Sequence, residues 1–188
     1  MNDLHAVAQV KRRDVDGLAI LVDRYQTPAV RAAYAITQDR ALAEDVVQTV
    51  FVELFRTLHT FDIRLPFKPW FFKSVINAAV KAAKHSRRTL SMDAVLNRET
   101  GDTFADLLPD LAALPTEHTE HEELKRLIRD ALTKLTPEQR AVVVMRYYLE
   151  LETSEISTQL DCPPATIRWR LHSALKRLRG LLPAMNEK

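Results

Sequence analysis

The stretch between residues 135 and 182 constrains the fold most, because its pattern fits a helix, a tight turn and a second helix. Residues 153–160 have the spacing of a short amphipathic helix, residues 161–164 (DCPP) suit a turn, and residues 165–182 keep an unbroken helical periodicity. Proline is tolerated in the first turn of a helix and not in its interior, so Pro164 marks a helix start. We therefore predict a helix-turn-helix unit in this stretch.

The last predicted helix has one apolar face and an acid-free basic side. At about 100° per residue, one face collects Ile167, Leu171, Ala174 and Leu178. On the opposite side, pointing away from the core, we expect Trp169, His172, Ser173 and Lys176. Residues 162–182 contain five Lys or Arg and no Asp or Glu. Such a helix suits the major groove of DNA. The alternative is a terminal helix with a solvated basic face.

Composition and charge extend the helical prediction to the whole chain. Three glycines in 188 residues, without alternation of β-branched and polar residues, argue against strands. Residues 1–90 hold 14 basic and 9 acidic side chains, residues 91–123 hold 1 and 9, and residues 124–188 hold 12 and 7. We expect an all-α fold of two small helical domains, residues 1–90 and 122–188, joined by an acidic flexible linker at 91–121. Two basic blocks around an acidic connector indicate two polyanion-binding modules with a different partner between them.

Three helices are predicted in the first 90 residues. The first covers residues 16–37, with a possible break at Thr27-Pro28. Asp39 is a candidate N-cap for the second, which reaches about residue 59. The third covers about residues 68–88.

The third predicted helix combines a cationic track with aromatic residues. Residues 64–88 contain seven Lys or Arg and no acid. The aromatic residues near its start are Phe61, Phe67, Trp70, Phe71 and Phe72. Aromatics beside a cationic track can hold single-stranded nucleic acid by base stacking, whereas aromatics at helical spacing usually pack inside. We predict that most of this cluster is core and that the basic run is functional.

The second half begins with the predicted linker, which has a short helical piece at residues 104–108. Residues 122–134 are predicted to be helical again. Thr136, Pro137 and Gln139 form a capping-box start for a helix that ends near Tyr148. Thr153 is the predicted N-cap of the helix at 153–160.

Composition also narrows the class of protein. The single cysteine, Cys162, permits neither an internal disulfide nor a cysteine-based zinc site and suits a reducing cytoplasm. We find no signal-peptide core and no run of about 20 apolar residues, so we expect a cytoplasmic protein without membrane contact. Paired carboxylates, a nucleophile–base set and a phosphate loop are missing from the pattern. We therefore predict a protein that is not an enzyme and uses no cofactor or metal, although His118 and His121 offer a remote metal possibility.

Five sequence blocks occur in the order typical of one protein family. They are residues 43–51 (AEDVVQTVF), 70–77 (WFFKSVIN), 135–140 (LTPEQR) with 145–148 (MRYY), 155–157 (EIS) and 161–171 (DCPPATIRWRL). Together they resemble the conserved regions of bacterial RNA polymerase sigma factors of the extracytoplasmic-function group, the two-domain minimal members of the primary sigma family. Each block is weak alone, but five in order across nearly the whole chain are specific.

The resemblance implies three sets of site residues. The β′ clamp helices of core RNA polymerase would be bound by Asp45, Gln48, Thr49 and Val52. The minus-ten promoter element would be held, and its melting aided, by the loop at residues 61–66 with Lys73, Asn77, Lys81, Lys84, Arg87 and Arg88. The minus-thirty-five element would be gripped by Thr166, Arg168, Trp169, His172 and Lys176.

Further partners follow from the same resemblance. The acidic linker would thread the active-site cleft and RNA exit channel of the polymerase, the second domain would meet the β flap, and an anti-sigma factor would hold the protein. Four positions depart from the family pattern. Thr49 stands where an acid is usual, Ala165 where glycine is frequent, Trp169 where serine is common, and Ser173 where a basic residue is common. Promoter preference therefore cannot be carried over from a relative.

A stand-alone helix-turn-helix regulator is the competing hypothesis, with residues 1–90 as a sensing or dimerising domain. It predicts tight duplex binding by the free protein, usually as a dimer on a palindrome. The sigma interpretation predicts weak binding alone and promoter opening only with core polymerase. The sequence leaves open whether the two domains of the free protein fold onto each other.

Overall fold

The computed structural model describes residues 3–92 and 118–181, with side chains described for residues 3–87 and 126–181. The predicted linker lies mostly outside these residues, together with its helical piece at 104–108 and the side chains of Arg88, His118 and His121. Within the described ranges every regular element is helical, which confirms the all-α prediction. The helices are α1 (Asp3–Lys11), α2 (Val15–Thr37), α3 (Arg40–Thr57), α4 (Phe67–Met92), α5 (His118–Thr133), α6 (Pro137–Val143), α7 (Thr153–Leu160) and α8 (Pro164–Leu181).

Two long helices of the N-terminal module (residues 3–92) begin with side-chain caps, Asp14 for α2 and Asp39 for α3. Asp39 accepts a hydrogen bond from the Leu42 N–H at 3.0 Å, which confirms it as the N-cap of α3. α2 continues through Pro28, so the predicted break at Thr27-Pro28 is wrong. α2 is contacted by α1, α3, α4 and α6. This packing outweighs the hydrogen bond that the proline nitrogen cannot donate.

Aromatic rings fill the centre of the N-terminal module. Phe71 and Phe72 are 0% and 1% exposed. The rings of Phe67 and Phe71 stack with centroids 5.8 Å apart, and the Tyr25 ring lies 5.5 Å from that of Phe71. Trp70 is half-buried, 4.9 Å from the Phe61 ring. The prediction that most of this cluster is core is confirmed, and the buried rings have no face left for a base.

The C-terminal module (residues 118–181) begins its central helix as predicted. Thr136 caps α6, and the Gln139 side chain accepts the Thr136 N–H at 3.0 Å to complete the capping box. The helix then changes pitch, because Val144–Tyr148 is a π-helical turn in which the Leu149 N–H donates to the Val144 carbonyl at 3.1 Å. Turns of this kind are frequent at functional sites.

α7 and α8 form the predicted helix-turn-helix. Asp161 takes a left-handed conformation (φ 48°) that ends α7, and Pro164 is the first residue of α8. The N-cap of α7 is Glu152, whose N–H donates to the Glu155 carboxylate at 2.7 Å. The prediction of Thr153 as the cap is therefore wrong by one residue, because a glutamate pair closes this end.

The two modules share one hydrophobic core. α6 packs against both α2 and α4, the π-helical turn packs against α2, and α7 packs against α4. The buried residues that the C-terminal module adds to the core of the N-terminal module are Ala141, Val142, Val144, Met145, Leu151, Ile156 and Ile167. The Tyr148 hydroxyl also donates to the Pro28 carbonyl at 3.3 Å. The free protein is therefore folded with its modules against each other.

Candidate nucleic-acid and polymerase interfaces

The predicted minus-ten residues fall on one side of α4. The spacing of Lys73, Asn77, Lys81 and Lys84 places them within about 80° on a helix, and Arg87 lies beside them. All are exposed except Lys73, which is half-buried. The opposite side of the helix, with Val75, Ile76 and Ala79, is fully buried. The core therefore fixes which way this cationic stripe faces.

The loop before α4 is shaped by one acid and two cations. The Asp62 carboxylate accepts hydrogen bonds from the Arg64 N–H at 3.0 Å and from the Arg64 guanidinium at 2.7–3.0 Å. These bonds lower the pKa of Asp62 below its ordinary value. Lys11 of α1 donates to the Phe61 carbonyl at 2.6 Å. The loop is held from both sides, and its apolar residues Ile63 and Leu65 stand exposed.

The predicted minus-thirty-five residues lie on the outer side of α8. Arg168, Trp169, His172 and Lys176 are exposed, with Trp169 at 66%, and Thr166 is half-buried. Buried Ile167 and Ala174 anchor the inner side, as predicted, and Arg177 joins α8 to the turn after α5 by donating to the Lys134 carbonyl at 2.9 Å. An exposed tryptophan among cations is rare in a solvated face and common at binding surfaces.

Ser173 does not point away from the core as expected. Its hydroxyl accepts a hydrogen bond from the Gln139 amide at 3.0 Å, so it joins α8 to α6. A helical projection shows only the helix itself, and Gln139 reaches Ser173 from another element 34 positions away. Ser173, which stands where the family commonly has a basic residue, therefore serves the packing of α8 against α6 in this chain.

The predicted polymerase-binding residues share one exposed face of α3. Asp45, Gln48, Thr49 and Val52 are all exposed, and Val52 is an apolar residue with 52% of its surface accessible. The sequence reasoning missed Phe55, three positions after Val52 and 37% exposed. Its (i, i+3) spacing to Val52 was the available signal. The face thus combines polar residues with an apolar strip, a composition typical of protein–protein contacts.

A charged cluster that the sequence did not predict lies where the modules meet. The Lys84 ammonium of α4 is 2.6 Å from the Glu138 carboxylate of α6. Burial is the largest single influence and opposes the ionisation of Glu138, but the hydrogen bond and charge of Lys84, with hydrogen bonds from the Glu138 backbone and Thr136, together lower the pKa of Glu138. Arg140, 5% exposed, donates weakly to the Leu132 carbonyl at 3.4 Å. Burial and the charge of nearby Arg87 lower the pKa of Arg140 to about 10.

The described part of the chain has neither a membrane-spanning helix nor a cluster of metal ligands. Residues 3–92 and 118–181 contain no helix that is both long and apolar enough to span a bilayer. In the same residues no three His, Cys, Asp or Glu side chains come together in a way that could hold a metal ion.

Comparison with known families agrees with both helical modules. The family described as Sigma-70 region 2 matches residues 21–89, which cover α3, most of α2 and most of α4. The family described as Sigma-70, region 4, matches residues 125–178, which include α6, α7 and most of α8. The two matches define the chain as a Sigma-70-type transcription protein.

Relatives narrow this class to one group. The chain is 31% identical to the RNA polymerase sigma factor CarQ of Myxococcus xanthus over 78% of each chain, and 30% identical to the ECF RNA polymerase sigma factor SigL of Mycobacterium tuberculosis over 85% of each. It is also 27% identical to the ECF sigma factor SigW of Bacillus subtilis over 94% of each. The protein belongs to the extracytoplasmic-function (ECF) group of RNA polymerase sigma factors.

Solved structures agree on the fold. CnrH, in complex with the cytosolic domain of CnrY, matches with a TM-score of 0.66 and 22% identity over 97% of each chain. The sigma factor RpoE of Bartonella quintana, in complex with the anti-sigma factor NepR, matches with a TM-score of 0.64 and 21% identity over 89% of this chain and 99% of that one.

Proposed function

We propose that this sigma factor binds core RNA polymerase through α3 and directs it to promoters whose minus-ten element is held by α4 and whose minus-thirty-five element is held by α8. One observation carries the proposal. Two cationic, exposed surfaces stand on separate helices of one chain, and one of them belongs to a helix-turn-helix. Each surface is backed by a buried face that fixes its direction. Such paired surfaces suit one long DNA site read at two places.

On α4 the cations and the amide have different tasks. Lys73, Lys81 and Arg87 supply phosphate affinity that depends on salt and not on sequence. Asn77 can read a base edge, because its amide both donates and accepts. Unstacking a base costs a few kcal/mol, which a receiving pocket offsets. The exposed apolar residues of the loop at 61–66 supply a surface against which an unstacked base can lie.

On α8 the side chains face a duplex. Arg168 and Lys176 are placed to contact phosphates or guanine edges, and Thr166 and His172 to form hydrogen bonds in the groove. Trp169 offers a large apolar surface for a thymine methyl or a sugar. Because Trp169 is a departure from the serine common in the group, it is the residue from which we expect an individual promoter preference.

The remaining partners are proteins. The exposed face of α3 around Val52 would dock on the β′ clamp helices, α8 and its neighbours would meet the β flap, and the acidic linker would occupy the cationic channels of the polymerase. CnrH and RpoE of the solved complexes are bound by CnrY and by the anti-sigma factor NepR. We propose that an anti-sigma factor likewise binds this chain, which would act in the cytoplasm as a non-catalytic subunit.

Reconstitution with purified core polymerase tests the proposal. Protein, core enzyme and genomic fragments of the source organism are combined, and transcript 5′ ends are mapped by sequencing. We expect defined start sites that core enzyme alone does not give. Val52→Glu on the exposed face of α3 should abolish holoenzyme formation, while Glu53→Gln, one position away and also exposed, should not.

Two outcomes would contradict the proposal. One is the lack of any stable complex with core polymerase at micromolar concentration. The other is tight binding of a palindromic duplex by a dimer of the free protein, which would favour the stand-alone regulator.

A further inference from the structure

The charges at the module interface are unevenly balanced. Glu138 of α6 faces the Lys84 ammonium at 2.6 Å, and their side chains are 28% and 53% exposed. The charges of Glu138 and Arg87 both act on the buried guanidinium of Arg140. Glu138 is therefore the counter-ion of Lys84 and also favours the charge of Arg140, whereas the charge of Arg87 opposes that of Arg140. The carboxylate therefore favours closure of the interface, beside the shared hydrophobic core, because the cations alone would repel each other.

Arg140 increases the contribution of Glu138 to closure of the interface. It is 5% exposed, its Nε is buried without a hydrogen-bond partner in the described part of the chain, and its hydrogen bond to the Leu132 carbonyl is long at 3.4 Å. A buried charge that is poorly paired costs free energy unless a counter-ion lies close. Glu138 is the acid whose charge favours ionised Arg140. Glu138 thus compensates cations on both sides of the interface.

The closed arrangement is too short for the proposed promoter. The two elements are named for positions about 25 base pairs apart, which is roughly 85 Å at ~3.4 Å per base pair. A compact chain of this length has a radius of gyration of about 16 Å and is therefore roughly 40 Å across. α4 and α8 cannot read both elements while α6 stays packed on α2 and α4. Promoter engagement requires the modules to separate.

We propose that Glu138 is an internal stand-in for a DNA phosphate, which holds the free sigma factor closed by occupying Lys84 and is displaced when the modules separate on the promoter. The inference rests on the proposed function, since that assigns Lys84 to the minus-ten phosphates. It adds an autoinhibitory contact within the chain. In the free protein, the α4 surface has α6 as its partner, and DNA must compete with a carboxylate already in place.

Charge reversal tests the contact in the free protein. The distance between the modules is followed by energy transfer between dyes at Arg12→Cys and Arg179→Cys, two exposed positions, in a Cys162→Ser background, with solution X-ray scattering of the unlabelled protein as a second measure. We expect Glu138→Lys and Lys84→Glu each to lower the transfer efficiency and raise the radius of gyration. The double variant Lys84→Glu/Glu138→Lys should restore the closed values.

Glu138 also lies near the N-terminus of α6, where any acid favours the helix. Lys84→Glu leaves α6 untouched, so opening by that variant cannot come from a lost helix end. Unchanged transfer efficiency in both single variants, or failure of the double variant to close again while its far-ultraviolet circular dichroism is native, would overturn the proposal.

The competition with DNA has its own readout. Glu138→Gln should bind a fluorescein-labelled 20-mer of oligothymidine about threefold or more tightly than wild type at low salt. Glu53→Gln makes the same charge change on α3, away from the interface, and should not. Equal gains in both would contradict the displacement of a phosphate analogue. Neither readout uses polymerase or a promoter, so a failure here and a failure of the proposed function remain distinguishable.

Discussion

The N-terminal and C-terminal modules obtain their cores in different ways. The N-terminal module has a core of its own, in which Phe67, Phe71 and Tyr25 meet at centroid distances of 5.5–5.8 Å. The C-terminal module has one small cluster of its own, with buried Leu132, Leu135 and Ala174, and most of its other buried apolar side chains join the N-terminal core. The second module therefore draws much of its burial from the first.

The two modules nevertheless present their reading surfaces in the same way. α4 and α8 each bury one side and expose cations on the other. The two surfaces differ in whether a contact within the protein must break before the surface can bind DNA. The outer side of α8 is already free of the module interface, whereas Lys84 on α4 is engaged by Glu138. A core that is shared and a site that is partly occupied both follow from the position of α6.

Truncation of the aromatic core has the largest expected effect. Phe71→Ala should destabilise the protein by about 3–5 kcal/mol, because Phe71 is fully buried and the surrounding side chains cannot fill the cavity that its loss would leave. Urea unfolding followed by circular dichroism measures the loss. Phe55→Ala, at a residue 37% exposed, is the matched control and should cost less than about 1 kcal/mol. Similar losses at both positions would mean that the aromatic cluster is not the centre of this module.

Met145→Ala tests whether the core is shared. Met145 belongs to the π-helical turn and is 0% exposed, so its truncation should cost about 2–5 kcal/mol. If the modules share one core, the loss must appear in the N-terminal module as well. The fluorescence of Trp70 in a Trp169→Phe background reports that module during urea unfolding. An unshifted Trp70 transition would show that the modules unfold independently.

The sequence predicted most of the elements and of the outward surfaces, since these depend on local patterns, but it missed α1 (Asp3–Lys11). Periodicity placed the helices, Asp39 and Thr136 were recognisable as caps, and Ile167 with Ala174 marked the inner side of α8. The errors at Pro28 and Ser173 share one cause, because a contact outside the local pattern decides each outcome: the packing around α2 and the bond from Gln139. The error at Thr153 is local, because Glu152 and Glu155 form a capping box that begins one residue earlier.

The packing of the two modules against each other could not be predicted from local sequence patterns. One signal was present, because residues 32–37 of α2 (AAYAIT) contain no charged side chain, and all six are buried. A helix without a polar face is covered on all sides. The pattern shows that a cover exists, but it cannot identify α6 and the π-helical turn as part of it. The pairing of Lys84 with Glu138 joins positions 54 apart and has no local signature.

Asn77→Ala should separate promoter opening from polymerase binding. Asn77 is exposed on α4, so its loss should not disturb the fold, and the missing base contact should cost about 1–3 kcal/mol, roughly 5- to 150-fold in the rate of opening. Permanganate reactivity of unpaired thymines measures opening, and gel filtration measures holoenzyme formation. Loss of holoenzyme with this variant would show that α4 binds polymerase and would exchange the roles given to α3 and α4.

Arg168→Ala should act on the upstream duplex instead. We expect roughly tenfold weaker use of promoters that depend on the minus-thirty-five element, which is about 1.4 kcal/mol and within the range for one arginine contact. Opening of a template already melted at the minus-ten element should not change. Lys188→Ala is a suitable control, because it removes one cation outside the helix-turn-helix. Unchanged use of those promoters would refute the assignment of Arg168.

Tyr148→Phe should have the smallest effect and is the most specific probe of the union between modules. It removes only the hydroxyl that donates to the Pro28 carbonyl at 3.3 Å, so we expect a loss of about 0.5–1.5 kcal/mol in urea unfolding. Tyr147→Phe, the neighbouring residue at 59% exposure, is the matched control and should be neutral. The Pro28 carbonyl belongs to α2 and the hydroxyl to the π-helical turn, so a loss at Tyr148 alone measures a bond between modules. Equal losses at both positions would place the effect inside the turn, and the two modules would then be joined by apolar contacts without a polar link at this point.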